Sequence, residues 1–179
     1  ERRFLAIGSR NALKLRQMID EILDFSKIQS GRMSVHAAAV PLGAILSEGV
    51  ESLRPWASSH SIALTLGDGA AELTGTAVLA DHQRIVQVLT NLVSNAIKAT
   101  PDGGAIAVDD ALGAGAEAGS VVVSVSDSGC GIAHEDLTRI FERFTQVVPK
   151  GRTREGVGLG LAIVRQIVGL HRGTMGVKS

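Results

Sequence analysis

Apolar positions recur along this chain with two different periods, and the changes of period divide it into elements. Residues 4–29 contain no proline, and Leu15, Ile19, Ile22, Phe25 or Ser26, and Ile28 return at helical spacing with Lys14, Arg16, Asp20 and Glu21 between them. That pattern predicts a long amphipathic helix. A heptad-like seam of this kind packs against partner helices, although a surface helix of any globular domain carries a similar stripe. Gly31 stops the helix. Residues 33–40 predict a short strand, after which Pro41 suits a helix start and Leu42, Ile45, Leu46, Val50 and Leu53 continue a buried stripe. Residues 62–66 and 77–80 predict strands. Residues 81–100 predict the strongest helix of the chain, closed by Pro101 with Gly103 and Gly104. Strands at 105–111 and 121–126, joined by the Gly- and Ala-rich turn 113–119, predict a hairpin. A short helix at 134–140, an irregular stretch to 157, a helix over 159–170 and a last strand from 173 complete the pattern. Helices and mostly antiparallel strands mix without a regular βαβ rhythm. The expected fold class is therefore α+β: a two-layer sandwich, with helices on one face of a mixed sheet, preceded by the long helix.

Composition narrows the functional classes. A chain of 179 residues with 45% hydrophobic content supports one well-covered core plus a short appendage. Lys plus Arg and Asp plus Glu balance at 18 each, so no field of one sign favours nucleic acid or a membrane surface, and any attraction to phosphate is local. The single cysteine, Cys130, forms no internal disulfide and fits a reducing cytoplasm. No run of about 18 apolar residues and no signal peptide is present, so this piece is expected to make no membrane contact. The chain opens inside a helical pattern at Glu1 and closes after a strand-like run at Ser179, as a portion of a longer, sometimes membrane-anchored protein would.

Three clusters carry candidate chemistry. On a helical wheel of residues 81–100, Arg84, Gln87, Asn91, Asn95 and Lys98 share one side, with Ile85, Leu89, Leu92, Val93 and Ala96 opposite. Asparagine is a poor helix former, so two of them four residues apart in mid-helix ask for a compensating role. An amide oxygen is a neutral, hard ligand suited to Mg²⁺, and Lys98 would add positive charge for phosphate oxygens. A solvated polar face is the plainer alternative. Next, Asp127-Ser128-Gly129-Cys130-Gly131 follows a run of valines. The glycines permit positive φ and close approach of a flat ring. The Asp127 carboxylate would accept a proton from an exocyclic amino group such as that of adenine, while an Asx turn is the alternative. Cys130 reads as a packing residue, since no basic neighbour activates it. Third, Gly156-Val157-Gly158-Leu159-Gly160-Leu161 opens a helix, where free backbone N–H groups and the positive dipole end suit a polyphosphate. A Rossmann loop is disfavoured, because the preceding Lys150-Gly151-Arg152-Thr153-Arg154-Glu155 is polar rather than a buried strand, so a lid is the better reading. Phe141 and Phe144 could clamp the base of that lid or simply pack in the core.

The order of these boxes, Asn91-x3-Asn95-Ala96-x-Lys98, then Asp127-x-Gly129-x-Gly131, Phe141 to Phe144, and Gly156-x-Gly158-Leu159-Gly160, resembles the N, G1, F and G2 boxes of the catalytic ATPase domain of sensor histidine kinases. The likeness covers residues 41–179, and Met18 through Lys27 resembles the second helix of that family's dimerisation and phosphotransfer hairpin. The resemblance implies a helix of that hairpin at 1–31 and an ATP-binding domain at 32–179 with a Bergerat-type sandwich. It further implies that Asn95 holds Mg²⁺, that Asn91 and Lys98 assist the phosphates, and that Asp127, with Gly129, Gly131 and Ile132, receives adenine. Phe144, Gly156, Gly158, Leu159, Gly160 and Leu161 would cover the nucleotide. The implied partners are ATP, a response-regulator receiver domain, and a second copy joined through the hairpin. None of His36, His60, His82, His134 or His171 has the setting of the family's acceptor histidine, so the acceptor is expected outside this sequence. His171-Arg172-Gly173 replaces the usual His-Gly-Gly turn. Two other classes compete. ATP-hydrolysing relatives such as heat-shock chaperones and type II topoisomerases use a glutamate where Asn91 stands, and asparagine is no general base. A non-enzymatic, degenerate binding module would have lost a box, and all are intact.

Overall fold

The computed structural model describes residues 2–67, 76–113, 119–147 and 156–179. The long apolar stripe becomes α1 (Arg2–Gln29), terminated by Gly31 at φ +65°. β1 (Ala38–Pro41) leads directly into α2 (Leu42–Ser59), with Pro41 at the N-cap, where a fixed φ of −65° and a missing N–H cost nothing. β2 (Ala63–Leu66), β3 (Ala77–Ala80), α3 (His82–Ala99), β4 (Ala105–Leu112), β5 (Val121–Asp127) and α4 (Gly160–Leu170) follow.

The described strands form two sheets. β1 pairs antiparallel with β3, and a mixed sheet has the order β2-β4-β5, parallel between β2 and β4 and antiparallel between β4 and β5. Alternation along β4 buries Ile106, Val108 and Asp110 on one face and leaves Asp109 and Ala111 on the other. The buried face meets α2 and α3 in a first apolar cluster of Leu42, Leu46, Val50, Leu64, Leu89, Val93, Ala96, Ile97, Ile106 and Val108. This is the expected α+β architecture with helices on one sheet face.

A second cluster lies on the other side of α3. Met33, Val88, Leu159, Ile163, Val164 and Ile167 are buried there, with Phe25 and Ile28 of α1 and Leu92 of α3 packed against them. α3 is thus apolar on two sides rather than one, and the wheel placed Leu92 with the wrong neighbours: it faces α4 and α1, while Leu89 and Val93 face the sheet.

Three expected elements differ. The strand expected over 33–40 is confined to 38–41, because its partner β3 covers only four residues, and Met33 is drawn into the second cluster instead. The helix expected at 134–140 is two 3-10 turns, His134–Asp136 and Arg139–Phe141, whose short bonds, Asp136 N–H to the Ala133 carbonyl at 2.8 Å and Glu142 N–H to the Arg139 carbonyl at 2.9 Å, avoid the nucleation cost of an α-helix. Residues 173–179 form no strand, having no ladder partner among the described residues. The expected hairpin is present in β4 and β5, while most of its turn, residues 114–118, lies outside the described residues.

Candidate nucleotide site

α3 holds the centre of the site because both its ends are fixed. Asp81 caps it: one carboxylate oxygen accepts from the Arg84 N–H at 3.2 Å and the other from the His36 N–H at 2.9 Å. Burial pushes the Asp81 carboxyl up, but these two N–H donors and the charge of Arg84 outweigh it and hold the group below its ordinary value. The Asp81 N–H in turn donates to His171 Nε2 at 2.9 Å, and His171 Nδ1 lies 2.8 Å from the Ile167 carbonyl. Only the neutral Nδ1–H tautomer satisfies both contacts. His171 is therefore a staple between the end of α4 and the start of α3.

The polar face of α3 is divided among three neighbours. Arg84 Nη1 contacts both Asp24 oxygens, at 3.1 and 3.0 Å, and donates to Gln87 Oε1 at 2.8 Å, while Gln87 Nε2 donates to Asp24 at 2.7 Å. This network ties α3 to α1. Asn91, half-buried, faces α4: a Cβ added to Gly160 would stand 3.0 Å from Asn91 Oδ1. Asn95 is also half-buried. The ammonium of Lys98 lies 5.9 Å from the centroid of the Trp56 ring of α2, a cation–π contact.

The loop after β5 closes on the last turn of α3. The Gly129 N–H donates to Asp127 Oδ1 at 2.8 Å, and a Cβ at Gly129 would meet the Ala99 carbonyl oxygen at 2.9 Å. Only glycine allows that approach. The Asx turn considered from sequence is thus present, and it engages one of the two Asp127 oxygens. Asp127 is exposed. Gly131 has φ +70°, and the N–H of Ile132 donates to Ser179 Oγ at 2.7 Å.

The aromatic pair and the last glycine run also interlock. The Phe144 N–H donates to the Gly158 carbonyl at 2.9 Å, and Gln146 Nε2 donates to the Gly156 carbonyl at 2.7 Å. Gly158 has φ +75°, and a Cβ there would lie 2.9 Å from both the Phe144 carbonyl carbon and the Thr145 oxygen. Leu159 is buried and Leu161 half-buried, and Gly160 opens α4. The basic segment 150–155 expected to act as a lid lies outside the described residues. Phe144, 61% exposed, turns its ring onto Phe25 of α1 rather than into the core, with centroids 5.4 Å apart and planes at 73°. Two adjoining grooves of about 500 and 470 Å³ run past Phe141 and Arg165, and neither is lined by Asn91, Asn95 or Asp127. No cluster of three metal-binding acidic, histidine or cysteine side chains exists among the described residues, and no described helix is long and apolar enough to cross a membrane.

Sequence reasoning grouped Arg84 and Gln87 with the asparagines and missed their bond to Asp24. It also missed the roles of Asp81, His171 and Gln146. Asp81 carried a signal, an Asp directly before a helical run; the other contacts join residues far apart in the chain and carried none.

Comparison with known proteins agrees with this arrangement. Residues 80–179 match the family model described as histidine kinase-, DNA gyrase B- and HSP90-like ATPase. The chain is 35% identical over 176 residues to the sensor-like histidine kinase SenX3 of Mycolicibacterium smegmatis, covering 97% of this chain and 44% of that protein. It is 34% identical over 163 residues to the non-motile and phage-resistance protein of Caulobacter vibrioides, covering 90% of this chain and 19% of that protein. The crystal structure of full-length ShkA in complex with AMPPNP superposes with a TM-score of 0.80 at 27% identity, over 99% of this chain and 35% of that one. The chain belongs to the histidine kinase-, DNA gyrase B- and HSP90-like ATPases, as a catalytic ATP-binding domain of the sensor histidine kinase kind. It spans less than half the length of these curated relatives.

Proposed function

We propose that this chain binds Mg-ATP and delivers its γ-phosphate to a histidine of the dimerisation domain, from which it passes to an aspartate of a response regulator. The observation that carries the reading is that α3 touches both glycine loops. Its last turn supports the Asp127 loop at Gly129, and Asn91 faces Gly160 at the opening of α4. In this reading the adenine reader and the phosphate-binding helix start pack against one helix. The donor set suits magnesium and phosphates: Asn95 offers a neutral hard oxygen, and α4 offers free N–H groups at its positive end. Bound magnesium would neutralise charge on the phosphate oxygens.

In this reading Asn95 holds the metal, and Asn91 and Lys98 assist the phosphates. For Lys98 to do so, its ammonium must leave Trp56. Asp127 accepts the adenine amino proton through the carboxylate oxygen not engaged by Gly129. Gly129, Gly131 and Ile132 line the base. Phe144, Gly156, Gly158, Leu159, Gly160 and Leu161 frame the lid. In the transfer, the bond between the γ-phosphorus and the bridging oxygen breaks as a phosphorus–nitrogen bond to imidazole forms, and ADP leaves. Catalysis is mainly positioning and electrostatics, because the phosphoryl group needs little covalent help. Residues 1–31 serve as the second helix of a dimerisation hairpin and 32–179 as the ATP-binding domain. The exposed Leu15, Ile19 and Ile22 of α1 suit a helical partner in a homodimer. The setting is cytoplasmic, with any membrane anchor elsewhere in the intact protein. An ATP-hydrolysing role is disfavoured by asparagine at position 91.

Titration calorimetry tests the reading. Asn95→Ala abolishes magnesium-dependent ATP binding, and unchanged affinity rejects the metal assignment. Asp127→Asn weakens ATP far more than tripolyphosphate; equal losses mean that Asp127 does not read the base.

A further inference from the structure

The strongest unassigned cluster joins α1 to the nucleotide-site elements at two points. At the first, Asp24, only 7% exposed, receives Arg84 and Gln87 in a closed network. Gln87 lies one helical turn before Asn91 on the same face of α3. At the second, Phe25, the next residue of α1, meets the Phe144 ring edge-on, and the Arg143 guanidinium stands 5.4 Å from the Phe25 ring centroid. Phe144 holds a left-handed backbone, φ +61°, unusual for an aromatic residue, and its N–H is committed to the Gly158 carbonyl. Strain of this sort persists only where its surroundings impose it. Two adjacent residues of α1 thus contact both the helix that carries the asparagines and, through Phe144, the glycine run at Gly158.

We infer that Asp24 and Phe25 are positioning residues for the nucleotide pocket, so that docking of α1 and binding of nucleotide favour each other. This rests on the nucleotide reading above. Asp24 fixes the rotation of α3 about its axis through two donors, and a charged acceptor in a nearly dry setting gives those bonds more weight than a surface pair has. Phe25 holds Phe144 so that the Gly158 carbonyl stays engaged and the opening of α4 is ready for phosphates. Linkage then requires the reverse effect: nucleotide tightens α1 against the domain.

The test uses the whole chain with magnesium and a non-hydrolysable ATP analogue. Asp24→Asn and, separately, Phe25→Leu lower the affinity by roughly five-fold or more. Asp24→Arg does the same, and adding Arg84→Asp recovers most of the loss, which a merely structural defect would not show. In the unaltered chain the analogue slows amide hydrogen exchange over residues 22–29, and in Asp24→Asn this protection is lost. Unchanged affinity in folded Asp24→Asn and Phe25→Leu overturns the coupling while leaving the nucleotide reading standing. No binding by the unaltered chain overturns both. If Asp24→Asn does not fold, the Phe25→Leu affinity and exchange pattern decide alone.

Discussion

The first apolar cluster and the second are built from the same kinds of side chain, yet they divide the labour of the molecule. The first lies between the β2-β4-β5 sheet and the helices α2 and α3, and it contains no residue of the glycine loops. The second gathers α1, α3 and α4 around Leu159, itself part of a glycine loop. One is a scaffold. The other joins that scaffold to a helix lying outside the sandwich, through the residues proposed to hold nucleotide. α3 belongs to both, which is why a helix with so polar a stripe can still be buried on two sides.

The largest effects should come from emptying each cluster. Ile106→Ala and Ile163→Ala, at 1% and 0% exposure, each cost about 2 to 5 kcal/mol in urea unfolding. Only Ile163→Ala should also weaken ATP at temperatures where both variants stay folded, and equal losses of affinity would erase the distinction. Gly158→Ala comes next. A left-handed backbone costs a non-glycine residue about 1 to 2 kcal/mol, and contact with Phe144 and Thr145 adds to it. Gly119→Ala, with φ +87° and open space around its Cβ position, bears the backbone cost alone and serves as the control.

A carboxyl group beside each region, Asp110 at the first and Asp81 at the second, responds to pH in the opposite sense to the other. Asp110 sits on the sheet face of the first cluster with both oxygens buried and unpartnered. Burial first, and then the Asp109 charge, push its pKa up. The folded state therefore holds its proton longer than the unfolded chain. Stability is fullest below the ordinary carboxyl value and declines as pH rises through the raised one. Asp110→Leu should remove that decline and gain about 1 to 2 kcal/mol near neutrality; an unchanged slope between pH 4 and 7 would refute it. Asp81, beside the second cluster, is lowered. Its contribution is present above the ordinary value and disappears as pH falls through the folded one. Asp81→Ala should cost about 1 kcal/mol, with the loss fading in acid, as measured by melts at several pH values.

Much of this was legible without coordinates. The stripes of α1, α2, α3 and α4, the β4 and β5 hairpin, the stop at Gly31 and the spacing of asparagines and glycines follow from periodicity and from residues with few alternatives. The same reasoning failed at 33–37, at 134–140 and at 173–179, where strand and helix propensity is present but, among the described residues, a partner strand or a further turn is not.

What the sequence determined alone was which faces are apolar and where the backbone must bend, because these are local consequences of side-chain type and of φ. Which neighbour covers each face was decided by the tertiary structure. Asp24 meets Arg84 across 60 residues of chain, Phe144 leans on Phe25, and Lys98 sits over Trp56. Such pairings depend on how whole helices are set against one another, and a one-dimensional period carries no record of that.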